Sequence, residues 1–180
     1  MPDDKTTNTS GPLSGVRIID FTSIYSGPIA TAILGDQGAD VIKIEPAEGD
    51  VMRRGLPARN GVGASFAMMN RNKRSLVIDA RSDKGREALH RLIADADVVV
   101  ENFRPGVMDR LGLGYERLAA ENPGLIYLSV NGVGGEGPYA KRRVYDAVIQ
   151  AISGIAALQA GSDEGDPQMV NTLICDKITS

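Results

Sequence analysis

Short apolar segments alternate with helical segments along most of this chain, and this alternation constrains the fold more than any other feature. Strands that alternate with helices pair in parallel, and because these segments are apolar on both faces, a helix layer is needed on each side. The sequence therefore predicts an α/β fold with a Rossmann-like, mostly parallel sheet and helices on both faces. The predicted strands are VRIIDF (16–21), ADVIKIEP (39–46), RSLVIDA (74–80), DVVVENF (97–103) and LIYLSVNG (125–132).

Apolar residues at helical spacing lie between and after these strands. Gly35 or Gly38 is expected to end the first helix, and Ser82 or Asp83 to cap the second. Residues 47–72 are rich in Gly, Arg and Met and are predicted to be irregular. The predicted helices are IATAILGDQG (29–38), SDKGREALHRLIADA (82–96), YERLAAENPG (115–124) and VYDAVIQAISGIAAL (144–158).

Composition excludes several kinds of partner and site. With 180 residues, of which 42% are hydrophobic, the chain is about one domain and can bury a core. The net charge of −3 argues against nucleic acid or an anionic membrane as the main partner. One cysteine and one histidine exclude a disulfide framework and a Cys-rich or His-pair metal site within this chain.

The N-terminus and the hydropathy pattern indicate a location. No apolar run reaches the length of a membrane span, and the polar MPDDKTTNTSGP lacks the pattern of a signal peptide. We therefore expect a cytoplasmic protein in which residues 1–12 form a disordered tail.

Polar loops follow the predicted strands, where doubly wound sheets bind their ligands. These loops contain neither G-x-G-x-x-G nor a Walker motif, and the glycine-rich GVGGEGP (132–138) favours a plain turn. Each basic cluster near the loops is typical of a solvated surface, but together they also suit a phosphate-bearing ligand. The clusters are Arg71, Lys73 and Arg74; Arg104 and Arg110; and Lys141, Arg142 and Arg143.

Three reactive side chains have both a structural and a functional interpretation. His90 lies on an amphipathic helix without an evident acid or nucleophile beside it, which favours a structural or surface role. Cys175 lies in an apolar run and is predicted to be a buried, inert thiol. Asp176 in LICDKITS either caps the final helix, which the local pattern favours, or is a nucleophile kept ionised by the helix dipole.

Six ordered blocks carry a further signal: PLSGVRIIDFTSIYSGP, GADVIKIEPAEGD, NRNKRSLVID, ADVVVENFRPGVMDRLGLGYERL, NPGLIYLSV and YDAVIQAISG. Together they resemble the N-terminal part of the class III CoA-transferases. That family includes formyl-CoA and carnitine CoA-transferases and has alpha-methylacyl-CoA racemase as a relative. The resemblance implies that residues 13–180 are the N-terminal part of a large CoA-binding α/β domain.

The resemblance also implies a reaction. Coenzyme A, as acyl-CoA, would be a substrate, a carboxylic acid would be the acceptor, and no cofactor would be bound permanently. In the family, an aspartate attacks the thioester to form a mixed anhydride. The freed CoA thiolate converts this anhydride to an aspartyl-CoA thioester, and the incoming acid takes over the CoA. The position of this aspartate matches Asp176, so the resemblance favours Asp176 as the nucleophile.

The CoA contacts implied by the resemblance come from four segments of the chain. They are Tyr25 and Ser26; Ile78, Asp79, Ala80 and Arg81; Asn102, Phe103, Arg104 and Arg110; and Arg142, Arg143, Val144 and Tyr145. One position departs from some members, because Pro46 stands where they have a basic CoA contact.

Two alternatives stay open beside CoA transfer. The racemase branch has a histidine where this chain has Tyr145, and a neutral tyrosine is a poor base at pH 7, which favours transfer over racemisation. Family members are considerably longer and form interlocked homodimers. We therefore expect this chain to be part of such a protein, and a short CoA-binding protein without catalysis is the other interpretation.

Overall fold

The computed structural model describes residues 10–180 and contains seven strands and eight α-helices in that range. The strands are β1 Arg17–Asp20, β2 Asp40–Glu45, β3 Ala58–Arg59, β4 Val62–Gly63, β5 Lys73–Val77, β6 Val98–Glu101 and β7 Ile126–Ser129. The helices are α1 Ser26–Asp36, α2 Ala64–Met69, α3 Asp83–Ala94, α4 Val107–Arg110, α5 Tyr115–Glu121, α6 Asp146–Ile152, α7 Ile155–Leu158 and α8 Ile174–Thr179.

Five of the strands form one parallel sheet in the order β5-β2-β1-β6-β7, which confirms the predicted α/β fold. The chain first builds outward from β1 through β2 to β5. It then returns to the other side of β1 and builds outward again through β6 to β7. The loops after β1 and β6 therefore diverge, and this reversal is where such sheets form a ligand-binding crevice.

Helices pack on both faces of the sheet, because neighbouring residues of a strand point to opposite sides. Ile19 and Val99 belong to a core cluster that includes Leu89 of α3 and Leu118 of α5. Residues that point to the opposite face of the sheet, among them Ile18, form a second core cluster. Leu34 of α1 packs against this cluster. Hydrophobic burial on both sides thus holds the sheet between two helix layers.

The α1 face of the sheet differs from the prediction, because it is not apolar throughout. Asp20 points to the same side of the sheet as Ile18 in β1, and Lys43 and Glu45 point to the same side as Val41 in β2. All three polar side chains are buried. The prediction was wrong here because these strands are so rich in apolar residues that the period-two alternation on one face is hard to see.

Two of these buried residues, Asp20 and Lys43, form with Asp50 and Lys73 what we call the ionic network. Lys73 Nζ lies 2.9 Å from Asp20 Oδ2, and Lys43 Nζ lies 3.0 Å from Asp50 Oδ2. Each side chain is at most 1% exposed. Because a buried charge without a partner is strongly destabilising, the pairing of each lysine with an aspartate is needed for this face to fold.

Glu45 makes the stability of the fold sensitive to acid. Burial by itself raises the pKa of Glu45, but hydrogen bonds from Arg53, Ser75 and the Asp50 N–H outweigh it and lower the pKa to about 2. The unfolded chain therefore takes up a proton at a higher pH than the folded chain does. We expect the free energy of unfolding to fall by roughly 2 kcal/mol as the pH drops from about 5 to about 2. Urea denaturation across this range, with Glu45→Gln as control, measures the effect, and an equally steep acid loss in Glu45→Gln would contradict it.

Two helices differ in extent from their predictions. Helix α1 begins at Ser26, three residues before the predicted start, since Pro28 needs no hydrogen-bond donor in a first turn. Gly27 permits this start, because a Cβ there would lie 2.4 Å from Thr22 Cγ2. The helix predicted over 144–158 is interrupted by Gly154, whose φ of 85° breaks it into α6 and α7. Ser82 caps α3 as predicted, with its Oγ accepting the Gly85 N–H at 3.0 Å.

The stretch predicted to be irregular, 47–72, contains a 3-10 helix at Val51–Arg54, the hairpin β3–β4 and helix α2. The elements are short, which is why no period was visible. Of the predicted tail, residues 1–9 lie outside the described residues, and residues 11–15 form a turn beside Gln37. Between residues 10 and 180, no helix is both long enough and apolar enough to cross a membrane.

Candidate active site

A cavity of about 360 Å³ opens at the carboxyl ends of β1, β6 and β7, at the reversal of strand order. It brings the predicted nucleophile together with residues from three of the four predicted contact segments; the segment 78–81 is the exception. The predicted residues that line it are Tyr25, Ser26, Asn102, Phe103, Arg104, Arg142, Arg143, Val144, Tyr145 and Asp176. The crevice between β1 and β6 thus collects segments that lie far apart in the sequence.

The loop between β1 and α1 is held in a strained conformation beside this cavity. Ile24 has a φ of 72°, a left-handed conformation that is costly for a β-branched residue. Asn102 fixes the neighbouring residue, because its Oδ1 accepts the Ser23 N–H at 2.9 Å and its Nδ2 donates to the Ser23 carbonyl at 2.8 Å. The amide of Asn102 therefore positions the loop that carries Tyr25 and Ser26.

The basic clusters of the sequence separate into two groups. Arg71, Lys73 and Arg74 form ion pairs with Asp36, Asp20 and Asp40, so their charges are used within the fold. By contrast, no ion pair within residues 10–180 involves Arg104, Arg142 or Arg143. These three arginines are exposed and line the cavity. Guanidinium groups without an internal partner at a cavity suit an anionic ligand, phosphate above all.

Asp176 lies on the wall of the cavity but does not cap a helix. Helix α8 begins at Ile174 after Leu173, so Asp176 is its third residue, and the cap predicted from the local pattern is wrong. The Asp176 carboxyl is half-buried, and the Ser26 side chain is close enough to influence its pKa. Its backbone N–H donates to Asp146 Oδ1 at 3.0 Å.

The electrostatic surroundings of Asp176 also differ from the expected helix-dipole effect. Burial, and then the nearby charge of Asp146, raise the pKa of Asp176, while the Ser26 side chain opposes them. Desolvation and the charge of Asp146 therefore outweigh the opposing influence of Ser26. A carboxylate that has lost part of its hydration and faces a cavity is available to attack an electrophile.

The other two reactive side chains lie in different parts of the structure. Cys175 is half-buried and lines the cavity, so the prediction that it is buried was wrong. Burial, Asp146 and Asp176 together raise the pKa of its thiol, which favours the protonated form. His90 Nδ1 lies 2.7 Å from Glu121 Oε2, a contact that links α3 to α5 away from the cavity. This contact gives His90 the structural role that was predicted.

Five predicted contact residues do not line the cavity. Residues 78–81 follow β5 at the far edge of the sheet, where Ile78 and Ala80 pack against the core and Asp79 pairs with Arg81. Arg110 lies exposed on α4. Their contact with CoA stays a prediction.

Sequence reasoning missed two features of the cavity. Asp146 is buried at the start of α6 and lines the cavity together with Asp176. Gly132 and Gly134 of the glycine-rich segment also line it, and a Cβ at Gly132 would lie 1.8 Å from Val144 Cγ2. The signal for the glycines was their place after the last strand of the sheet. Asp146 gave no local signal, because an acid in the first turn of a helix is common.

Comparison with known proteins agrees with this geometry. The family model described as CoA-transferase family III matches residues 13–180. The chain belongs to CoA-transferase family III. It is 42% identical over 171 residues to acetyl-CoA:oxalate CoA-transferase from Acetobacter aceti. The aligned region covers 94% of this chain and 44% of that relative. It is 45% identical over 169 residues to formyl-CoA:oxalate CoA-transferase from a Bradyrhizobium strain, covering 93% and 39%.

Solved structures also resemble this family III chain, both in sequence and in fold. A CAIB/BAIF family protein from Brucella suis superposes with a TM-score of 0.85 and 44% identity, over 92% of this chain and 45% of that one. A hypothetical protein from Mycobacterium tuberculosis superposes with a TM-score of 0.84 and 37% identity, over 94% and 47%. The chain therefore spans less than half the length of the relatives it matches.

Proposed function

We propose that this family III chain provides the CoA site and the nucleophile of an enzyme that moves CoA from an acyl-CoA donor to a carboxylic acid. One observation carries this proposal: a half-buried carboxylate, Asp176, and three arginines that form no ion pair with the described residues line the same cavity. The arginines suit the phosphates of CoA, and the carboxylate suits attack on its thioester. The predicted contacts Tyr25, before α1, and Ser26, the first residue of α1, line the same cavity.

In the proposed reaction, the Asp176 carboxylate attacks the carbonyl carbon of the thioester. The C–S bond breaks, the CoA thiolate departs, and a mixed anhydride of Asp176 and the donor acid forms. The thiolate then attacks the Asp176 carbonyl carbon, which releases the donor acid with one aspartate oxygen and leaves an aspartyl-CoA thioester. The acceptor carboxylate attacks the carbonyl carbon of that thioester, the C–S bond breaks, and a second anhydride forms as the CoA thiolate departs. Finally the thiolate attacks the acceptor carbonyl and frees the Asp176 carboxylate. No proton is gained or lost overall.

The relatives named above are oxalate CoA-transferases, so we propose a small carboxylic acid such as oxalate as acceptor, with formyl-CoA or acetyl-CoA as donor. We further propose that the protein works as a homodimer in the cytoplasm. Exposed apolar side chains on the last three helices, Ile152, Leu158 and Ile178, support burial against further protein.

Oxygen-18 labelling tests this function in the protein made from its complete native gene. With labelled oxalate as acceptor, we expect oxalyl-CoA to form and label to appear in the released formate or acetate after several turnovers, because Asp176 passes one oxygen on in each turnover. Mass spectrometry of the released acid measures this. Binding of CoA without any transfer would favour the non-catalytic alternative. Oxygen taken from labelled water in place of oxalate would overturn the anhydride route.

A further inference from the structure

The segment that leads to Asp176 has little regular structure of its own. Residues 166–173 form no helix or strand. Hydrogen bonds to α6 and α7 hold this segment in place: the Gln168 N–H donates to the Ala156 carbonyl, and the Val170 N–H donates to Gln150 Oε1 at 2.8 Å. The position of Asp176 in the cavity therefore depends on side chains of a neighbouring helix.

Gln150 is the centre of these contacts. Its side chain is a polar group within α6, and the residue is only 2% exposed. Its Nε2 donates to Asp146 Oδ2 at 2.6 Å and to the Thr172 carbonyl at 3.1 Å. The other oxygen of Asp146 accepts the Asp176 N–H at 3.0 Å. We call Asp146, Gln150 and the backbone of 170, 172 and 176 the polar clasp.

We propose that Gln150 is a positioning residue for the nucleophile, which it holds through Asp146 on one side and through the backbone of residues 170 and 172 on the other. This inference rests on the proposed function, because Asp176 needs such positioning only if it attacks the substrate. A small displacement of a reacting group lowers a rate far more than it weakens binding. Gln150 does not line the cavity, so it acts through Asp146 and the segment and not by touching the substrate.

Replacement of Gln150 by leucine should separate rate from binding. Gln150→Leu keeps the apolar stem but removes every hydrogen bond that the Gln150 side chain makes in the clasp. We expect kcat to fall about 10-fold to 100-fold and KM for acyl-CoA to change less than about twofold. Gln159→Leu is the matched control, because Gln159 is exposed beyond the end of α7 and should leave both constants unchanged.

Replacement by glutamate tests the contact with Asp146 more directly. Gln150 Nε2 lies 2.6 Å from Asp146 Oδ2, so a glutamate carboxyl in its place and the Asp146 carboxyl cannot both be charged. At low pH the two carboxyls share one proton, which takes the place of the amide N–H. At higher pH the variant loses that proton and the clasp opens. The activity of Gln150→Glu relative to wild type should therefore be at least about 10-fold lower at pH 9 than at pH 6. The other titratable groups around the clasp are Cys175, Asp176 and Lys177.

These outcomes separate the inference from the proposed function. Asp176→Asn is measured beside both variants, and full transfer activity in it would remove the proposed function and this inference with it. If Asp176→Asn is inactive while Gln150→Leu keeps the wild-type kcat, the positioning role alone is wrong. If Gln150→Leu fails to fold, the glutamate variant decides. If the activity of Gln150→Glu relative to wild type is the same at pH 6 and at pH 9, the positioning role of Gln150 is wrong.

Discussion

Replacing Asp176 with alanine should lower the rate of CoA transfer by about four orders of magnitude or more, while CoA still binds. The proposed route forms two covalent intermediates on this carboxylate, and Asp146 cannot replace it, because both Asp146 oxygens accept hydrogen bonds within the clasp. CoA binding should survive, because the arginines that suit its phosphates come from other segments of the cavity wall.

Intact-mass measurement gives an independent readout of the same substitution. Incubation with acyl-CoA in the absence of an acceptor should add the mass of CoA, less water, to the wild-type protein and nothing to Asp176→Ala. Asp163→Ala is the matched control, because it removes an exposed acid outside the cavity and should behave as wild type. A CoA adduct on the Asp176 variant, or transfer within tenfold of the wild-type rate, would show that another residue is the nucleophile.

Replacing Asp20 with alanine should have the largest effect on stability, lowering the free energy of unfolding by about 3–5 kcal/mol. The buried Asp20 carboxylate accepts hydrogen bonds from Lys73 Nζ at 2.9 Å, from Thr31 Oγ1 at 2.7 Å and from the Thr22 N–H at 2.8 Å. Without it, the hydrogen-bond partners that the Lys73 ammonium keeps within residues 10–180 are neutral, the Pro28 carbonyl and the Asn70 side chain. Urea denaturation at pH 7 measures the loss.

Asp40→Ala is the control for this substitution. Asp40 also pairs with two cations, Arg17 and Arg74, but their side chains are 42% and 56% exposed. Solvent screens such pairs, so the cost should stay near 1 kcal/mol or below. Equal losses in the two variants would contradict the special role of the buried network.

The Asp20 variant should also recover part of its stability at alkaline pH. Burial lowers the pKa of Lys73 to about 8, and Asp20 is the main opposing influence. Without Asp20 the folded state releases the Lys73 proton at still lower pH, whereas the unfolded chain keeps it to about 10.4. Since the unfolded state then binds more protons, stability rises with pH. The difference from wild type should therefore shrink between pH 7 and pH 9, and a constant difference would mean that Lys73 is not the source.

Local pattern was enough to predict the elements of the sheet. Each of the five strands lies where a short apolar segment was found, because strand formation needs only a few β-branched residues in a row. The family resemblance named Asp176 and nine further residues that line the cavity, and their roles in binding and catalysis stay predictions. The short elements β3, β4 and α2 were missed because they lie in the stretch rich in Gly, Arg and Met, where no apolar period is visible.

The roles of the charged residues could not be predicted in this way. Arg71, Lys73 and Arg74 were possible ligand contacts in the sequence, but their partners lie 35, 53 and 34 positions away and satisfy them within the fold. Arg104, Arg142 and Arg143 also lie near predicted loops in the sequence, but they line the cavity and form no ion pair with any described residue. Only the distances between segments separate the two groups.

The sequence by itself determined the alternation of strands and helices, and hence the α/β fold, because the spacing of apolar residues is a local property of the chain. Only the tertiary structure decided which loops converge. The order β5-β2-β1-β6-β7 puts the reversal between β1 and β6, and this brings Ser26, Arg104 and Asp176 to one cavity. The physical reason is that strand order and register depend on hydrogen bonds and packing between distant segments, which no local pattern records.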